Sequence, residues 1–375
     1  MEIVRSHVVG SLLRPRELLA ARERFAAGAL TGEQLREHED RAVDAAIALQ
    51  EAAGMEIVTD GEQRRGVYFD SLASVLDGIT PVLPGQSEVL DAMVGTDAWQ
   101  SDDPATDLSE LEANLLITGR LTRRDSLAVR EFGYAKQRTT KPVKVTLPSP
   151  SSIALVFWSN EHSTAAYQDA TEAMDDVAKL LREEITALAQ QGCRYIQLDA
   201  PDLTFPINEA AFFYEAAGLG REQFLERSVD LLNDVMTEPG VTFSVHLCRG
   251  NNQGQWHTSG SYDSIARQVF PRLDNAHYVF LEYDDERSGG FEPLTELPDD
   301  KVVVLGLVST KTDVVETRDE VERRIEEATR FHPADRLAIS TQCGFASAMQ
   351  GNPLSETTQR AKLELVAEIG RSMMP

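Results

Sequence analysis

Along this chain, eight short apolar segments are interspersed with amphipathic ones. Strand-like runs lie at 3–9, 56–60, 143–148, 194–199, 241–247, 278–283, 301–308 and 336–340. Between them, apolar residues recur at helical spacing over 33–53, 168–191, 221–237, 261–271, 316–330 and 355–373. Thr31 and Ser355 carry side chains suited to opening a helix, and Gly54 and Gly192 are suited to closing one. Parallel strands need a crossover between them, so regular strand–helix alternation calls for a parallel sheet. Eight such units predict an α/β fold, a (β/α)8 TIM barrel rather than an open doubly wound sheet. One spacing is out of line: residues 62–142, between strands two and three, are too many for one loop and helix. The expectation is a single catalytic barrel domain over 1–375 with 62–142 as an insertion. Pro81-Val-Leu-Pro-Gly and Ser101-Asp-Asp-Pro break that insertion into pieces, which contribute a strand pair or a lid and include the polar stretch Leu121-Thr-Arg-Arg-Asp.

Barrels of this kind carry their active sites at the C-terminal ends of the strands, so polar residues there are the ones to read. Strand one ends Val9-Gly10-Ser11, strand two Asp60-Gly61-Glu62, strand four Gln197-Leu198-Asp199 and strand six Glu282-Tyr283-Asp284. Strand five ends His246-Leu-Cys248, and Cys343-Gly344 follows strand eight. Side chains two apart on a strand point to one face, which makes His246 and Cys248 a pair. With Glu282 and Cys343 they offer N, S, O and S donors, a set suited to zinc. Taken singly, His246 reads as a structural histidine and Glu282 as a solvated carboxylate. Cys193, just before an apolar strand, reads as a small buried hydrophobe. Cys248 and Cys343 differ in being followed by polar or glycine residues. Three cysteines make no disulfide framework in a chain of 375 residues.

The charge balance excludes some partners. With 36 basic and 61 acidic residues the net charge is -25, a field that repels nucleic acid and anionic membranes. No apolar run reaches the ~20 residues of a membrane span, and the first residues lack a signal peptide's pattern, so a cytoplasmic protein is expected. An anionic substrate would need local cations, for which Arg14, Arg16, Arg64, Arg65 and Arg249 are the candidates nearest these segments.

From residue 9 to 344 the strand-end motifs resemble the catalytic barrel of the cobalamin-independent methionine synthase family. That family includes single-barrel methyltransferases and the epoxyalkane:coenzyme M transferases. The resemblance implies Zn²⁺ held by His246, Cys248, Glu282 and Cys343. It implies a thiol substrate whose amino-acid end lies against Gly10, Ser11, Glu62 and Asp199, and an aromatic stacking role for Trp158. The implied reaction is methyl transfer from 5-methyltetrahydrofolate or another donor to homocysteine or a similar thiol. Epoxide opening by a zinc thiolate is the alternative within that chemistry, and a non-catalytic barrel with structural zinc the alternative outside it. A metal-free barrel of the uroporphyrinogen decarboxylase type is disfavoured by the His-x-Cys pair and Cys343. One position departs from the pattern: where the synthase has a strand-seven histidine to protonate the leaving amine, this chain aligns Val308. Either another group supplies the proton, with His7, His257 and Lys311 as the candidates, or the electrophile is not methyl-folate.

Overall fold

The computed structural model describes residues 3–81, 115–208 and 212–373. Seven parallel strands form one curled sheet: β1 (Ser6–His7), β4 (Lys144–Pro148), β5 (Tyr195–Asp199), β6 (Thr242–Leu247), β7 (Tyr278–Glu282), β8 (Val302–Val308) and β9 (Leu337–Thr341). Their order is β1-β9-β8-β7-β6-β5-β4. Both faces of every strand are buried, which is why these segments read as continuous apolar runs instead of alternating.

The predicted second strand is the exception. Residues 56–60 occupy the eighth position with one bridge, Val58 to Val143, and no regular ladder. On the other side, side chains take over the role of a backbone ladder. Glu56 Oε2 accepts from the amides of Arg5 (2.6 Å) and Ser6 (2.8 Å), and Thr59 Oγ1 donates to Gly10 O (2.7 Å). The chain then turns at once through Gly61 and Glu62, both with positive φ (70° and 55°). Such a turn cannot continue a strand.

The anticipated helices are present as Gly32–Ala53, Ala170–Gln190, Arg221–Val235, Asp263–Val269, Arg318–Ala328 and Glu356–Ser372. Thr31 forms a capping box with Gln34, Ser355 caps Thr358 N, and Gly54 closes its helix at φ 87°. Arg16–Ala26, Leu127–Ala135 and Pro150–Val156 are helices that the periodicity does not reveal. Within the insertion, β2 (Leu76–Pro81) and β3 (Leu115–Arg123) form the expected antiparallel pair. Ser101-Asp-Asp-Pro, and all of Pro81-Val-Leu-Pro-Gly after its first residue, lie outside the described residues.

The main core fills the layer between sheet and helices. A second, smaller cluster plugs the barrel interior: Val9, Ile57, Tyr195, Tyr278, Phe280, Val302, Val304 and Ala338. The His7 ring sits among Tyr195, Tyr278 and Phe280 at centroid distances of 5.8, 5.4 and 5.1 Å. The interior is thus packed, and chemistry in such a barrel belongs to the mouth at the strand C-termini.

Candidate metal centre and cleft

Three strand ends converge on one point. His246 is on β6 and Cys248 lies one residue past its end, on the same face. Glu282 is the last residue of β7, and Cys343 follows β9 by two. One donor atom from each of the four lies within 4.8 Å of the others. The Cys248 and Cys343 sulfurs are 3.7 Å apart. This is far beyond a disulfide, but two sulfurs each bound at about 2.3 Å to a tetrahedral zinc would lie about 3.8 Å apart.

The histidine completes the fit. Its Nδ1 faces Asp199 Oδ1 at 3.1 Å, so the proton belongs there and the Nε2 lone pair faces inward. Nε2 is buried with no hydrogen-bond partner, 3.7 Å from Glu282 Oε1. A buried, unsatisfied acceptor aimed at two thiols and a carboxylate is costly unless a cation takes its lone pair. Burial alone would lower the His246 pKa. The hydrogen bond to Asp199, the nearby Glu282 carboxylate and the Cys343 charge raise it to about 10 instead, so this environment favours positive charge. The hydrogen bond from Cys248 lowers the Cys343 thiol. Backbone amides hold two of the donors, Arg249 N donating to Glu282 Oε1 (2.9 Å) and Gly250 N to Cys248 Sγ (3.3 Å), and Cys343 Sγ meets Ser347 Oγ at 3.6 Å. The donor set fits Zn²⁺. Cys193, by contrast, is buried away from it, and burial pushes its thiol up to about 11.

Above these four residues opens a cleft lined by Gly10, Ser11, Glu62 and Asp199 on its polar side. Its apolar side includes Val67, Tyr68, Phe69, Val156 and Phe205. Glu62 Oε1 accepts from Thr146 Oγ1 (2.7 Å) and lies 3.7 Å from the Arg65 guanidinium, while Oε2 is buried without a partner. Burial raises the Glu62 pKa, with Arg65 opposing. Gly10 is glycine for a reason: a Cβ there would run into Glu62 Oε1. Gly344 is likewise filled by Ser11, whose Oγ accepts from Ala346 N at 3.2 Å.

Other expected residues are elsewhere. Trp158 is 1% exposed, donates its indole N–H to Asn160 Oδ1 (2.9 Å) and does not line the cleft. The helix Pro150–Val156 ends just before it, so Val156 reaches the cleft and Trp158 turns into the core. None of the five arginines lines the cleft. Arg14 donates to the carbonyls of Glu62 and Arg65, Arg65 to Glu131, and Arg64 to Asp40, while Arg249 stacks on Tyr262 and Arg16 lies on an exposed helix position. The three proton-donor candidates are also off the cleft. His7 belongs to the interior plug, where burial holds its pKa well below the usual value. His257 packs on the Phe205 ring (4.6 Å) and burial lowers it to about 4. Lys311 is ion-paired with Asp284 and Asp285, both at 2.7 Å. Val308 is fully buried at the end of β8, where the register with β9 is irregular.

Comparison with known proteins now decides the family. Over residues 5–361 the chain matches the family described as the cobalamin-independent synthase catalytic domain. It belongs to that family. The uncharacterized protein YxjH of Bacillus subtilis is 34% identical over 98% of this chain and 94% of its own length. A methionine synthase of Saccharolobus solfataricus is 24% identical over 90% of this chain and 87% of its own. In fold, this cobalamin-independent synthase domain is similar to a B12-independent methionine synthase of Shewanella sp. solved with selenomethionine (TM-score 0.72, 23% identity, 99% and 98% of the two chains). A solved Listeria monocytogenes protein gives a TM-score of 0.74 at 23% identity over the whole of both chains. The TIM-barrel class read from the alternation stands. Among the described residues no helix is long and apolar enough to cross a membrane.

Proposed function

We propose that this family member is a zinc-dependent thiol methyltransferase acting on homocysteine or a closely similar amino-acid thiol. The observation that carries the reading is the inward-facing, unsatisfied His246 Nε2 beside two sulfurs 3.7 Å apart, at the floor of a substrate-sized cleft. A bound Zn²⁺ would supply the acidity that turns a coordinated thiol into a thiolate near neutral pH. His246, Cys248 and Cys343 would be the firm ligands, and Glu282, a weaker oxygen donor, would hold the exchangeable place. Glu62, whose Oε2 has no partner, and Asp199 line the cleft and suit an ammonium group, while Gly10 and Ser11 lie beside them for the carboxylate end. The apolar wall from Val67 to Phe69, with Val156 and Phe205, excludes water and receives the alkyl group.

The methyl donor is 5-methyltetrahydrofolate or another small methyl donor. Apart from the metal-ligand set, Glu62 and Asp199, the only titratable side chain among the described residues lining the cleft is Tyr68, whose hydroxyl meets Ser152 Oγ at 3.2 Å. A sulfonate thiol such as coenzyme M would want cations where this cleft offers carboxylates, which is why the amino-acid thiol is preferred over epoxide opening. A purely structural zinc is disfavoured by the open cleft directly over the ligands. We read 1–375 as one catalytic domain, with 62–142 its insertion. Its partners are then a thiol and an alkyl donor, with neither nucleic acid nor membrane involved.

Zinc-loaded protein titrated with homocysteine should release a proton and gain one Zn–S bond in metal-edge absorption, with coenzyme M giving the weaker response. Silence toward both thiols would overturn the proposal. Cys343→Ser should bring bound zinc well below one equivalent after dialysis against a chelator, and an unchanged metal content would remove Cys343 from the ligand set.

A further inference from the structure

Inside the barrel, one buried cation is left over by the reaction just described. Lys144 opens β4 and is 2% exposed. Its Nζ donates to Val8 O (2.6 Å) and to Gln197 Oε1 (2.5 Å), 4.6 Å from the centre of the Phe280 ring. Among the described residues it has no carboxylate within ion-pair distance. Gln197 in turn donates Nε2–H to Asp199 Oδ1 at 2.7 Å, and the same Oδ1 faces His246 Nδ1 at 3.1 Å. Four side chains thus run in one line, on β4, β5 and β6, from the interior to the metal ligand.

The direction of that line is fixed by chemistry. The Asp199 carboxylate only accepts, so the glutamine atom facing it is the amide NH2, which leaves the carbonyl oxygen to accept from Lys144 Nζ. Without Lys144 the buried Gln197 carbonyl oxygen would lose its donor, and an amide shifting to find another would loosen its hold on Asp199 and, through it, on His246.

We propose that Lys144 and Gln197 are positioning residues, a relay that fixes Asp199 so that it holds the His246 ring in the metal-binding tautomer and orientation. The inference rests on the zinc reading above, but not on any transfer reaction. Partners behind a ligating histidine typically matter about 10–100-fold in metal affinity.

The test is a double-mutant cycle read as zinc affinity by chelator competition, with the cobalt-substituted absorption spectrum as a second readout. Lys144→Met and Gln197→Met preserve volume in an apolar setting. Each should weaken zinc by about 10–100-fold and shift the cobalt bands in the same way. The double variant should be no weaker than the weaker single one, because both changes cut the same line. General loosening of the barrel would instead make the two losses multiply, and that result overturns the proposal. So does Lys144→Met binding zinc within twofold of wild type. If Lys144→Met shows no cooperative melting, Gln197→Met carries the test alone, and unchanged affinity there overturns the relay. Wild-type protein that binds no zinc sinks both readings. Wild-type protein that binds zinc but ignores homocysteine sinks only the transferase, leaving the cycle readable.

Discussion

Gly10 and Glu62 are matched at the scale of single atoms. The glycine has no Cβ, and the space that a Cβ would fill is taken by the Glu62 carboxylate. Glu62 itself adopts φ 55°, a conformation uncommon outside glycine and one that sites hold only when their surroundings compel it. Here the compulsion comes from Asp60 Oδ1 on the Glu62 amide (2.9 Å) and Thr146 Oγ1 on its carboxylate (2.7 Å). Gly10→Ala should therefore displace the carboxylate without touching the metal ligands. The expected outcome is homocysteine affinity reduced by about tenfold, the scale of one lost charge-assisted hydrogen bond, with zinc content unchanged. Isothermal titration with zinc-loaded protein checks it, and equal affinities would mean that Glu62 does not meet the substrate.

At the scale of elements, the convergence of His246, Cys248, Glu282 and Cys343 was legible because a barrel gathers strand ends regardless of how far apart they are in sequence. His246 and Cys343 are almost a hundred residues apart, and only the alternation pattern says that they meet. The second strand was misread because an apolar run looks the same whether its amides pair with a neighbouring strand or with a carboxylate such as Glu56. Trp158 was misplaced because periodicity does not show where a seven-residue helix stops. Lys144 had a usable signal, a charge within an otherwise apolar strand. Arg65 had none, because its partner Glu131 is on a nine-residue helix, too short for periodicity to reveal. That pair is buried on both sides, at 2.8 Å, and joins the turn after residues 56–60 to the helix Leu127–Ala135. Removing one member strands the other charge. Glu131→Leu should cost roughly 3–5 kcal/mol in urea unfolding, and adding Arg65→Met should return part of that loss. A double variant as unstable as the sum of two singles would show that the pair is not coupled.

For the molecule as a whole, acid stability is shaped by buried groups pulling in opposite directions. Burial raises Glu131 to about 7, against the pull of Arg65, so acidification below neutrality favours its folded form. His257 has the opposite sign. In the unfolded chain it titrates near ~6.5. In the folded one, packed on Phe205, burial holds it at about 4. Above pH ~6.5 it is neutral in both states and contributes nothing to the pH dependence. Between those two values only the unfolded chain takes up the proton, and the fold loses up to about 1.4 kcal/mol for each pH unit. Total stability mixes these effects with a net charge of -25 that shrinks as carboxylates protonate. The difference between wild type and His257→Gln isolates the histidine. Across urea unfolding at pH 8, 7, 6 and 5, that difference should stay level down to about pH 6.5 and then move in the variant's favour by roughly 1–2 kcal/mol by pH 5. Parallel profiles through the whole range would place the His257 ring in contact with water, outside the packing against Phe205 that the fold requires.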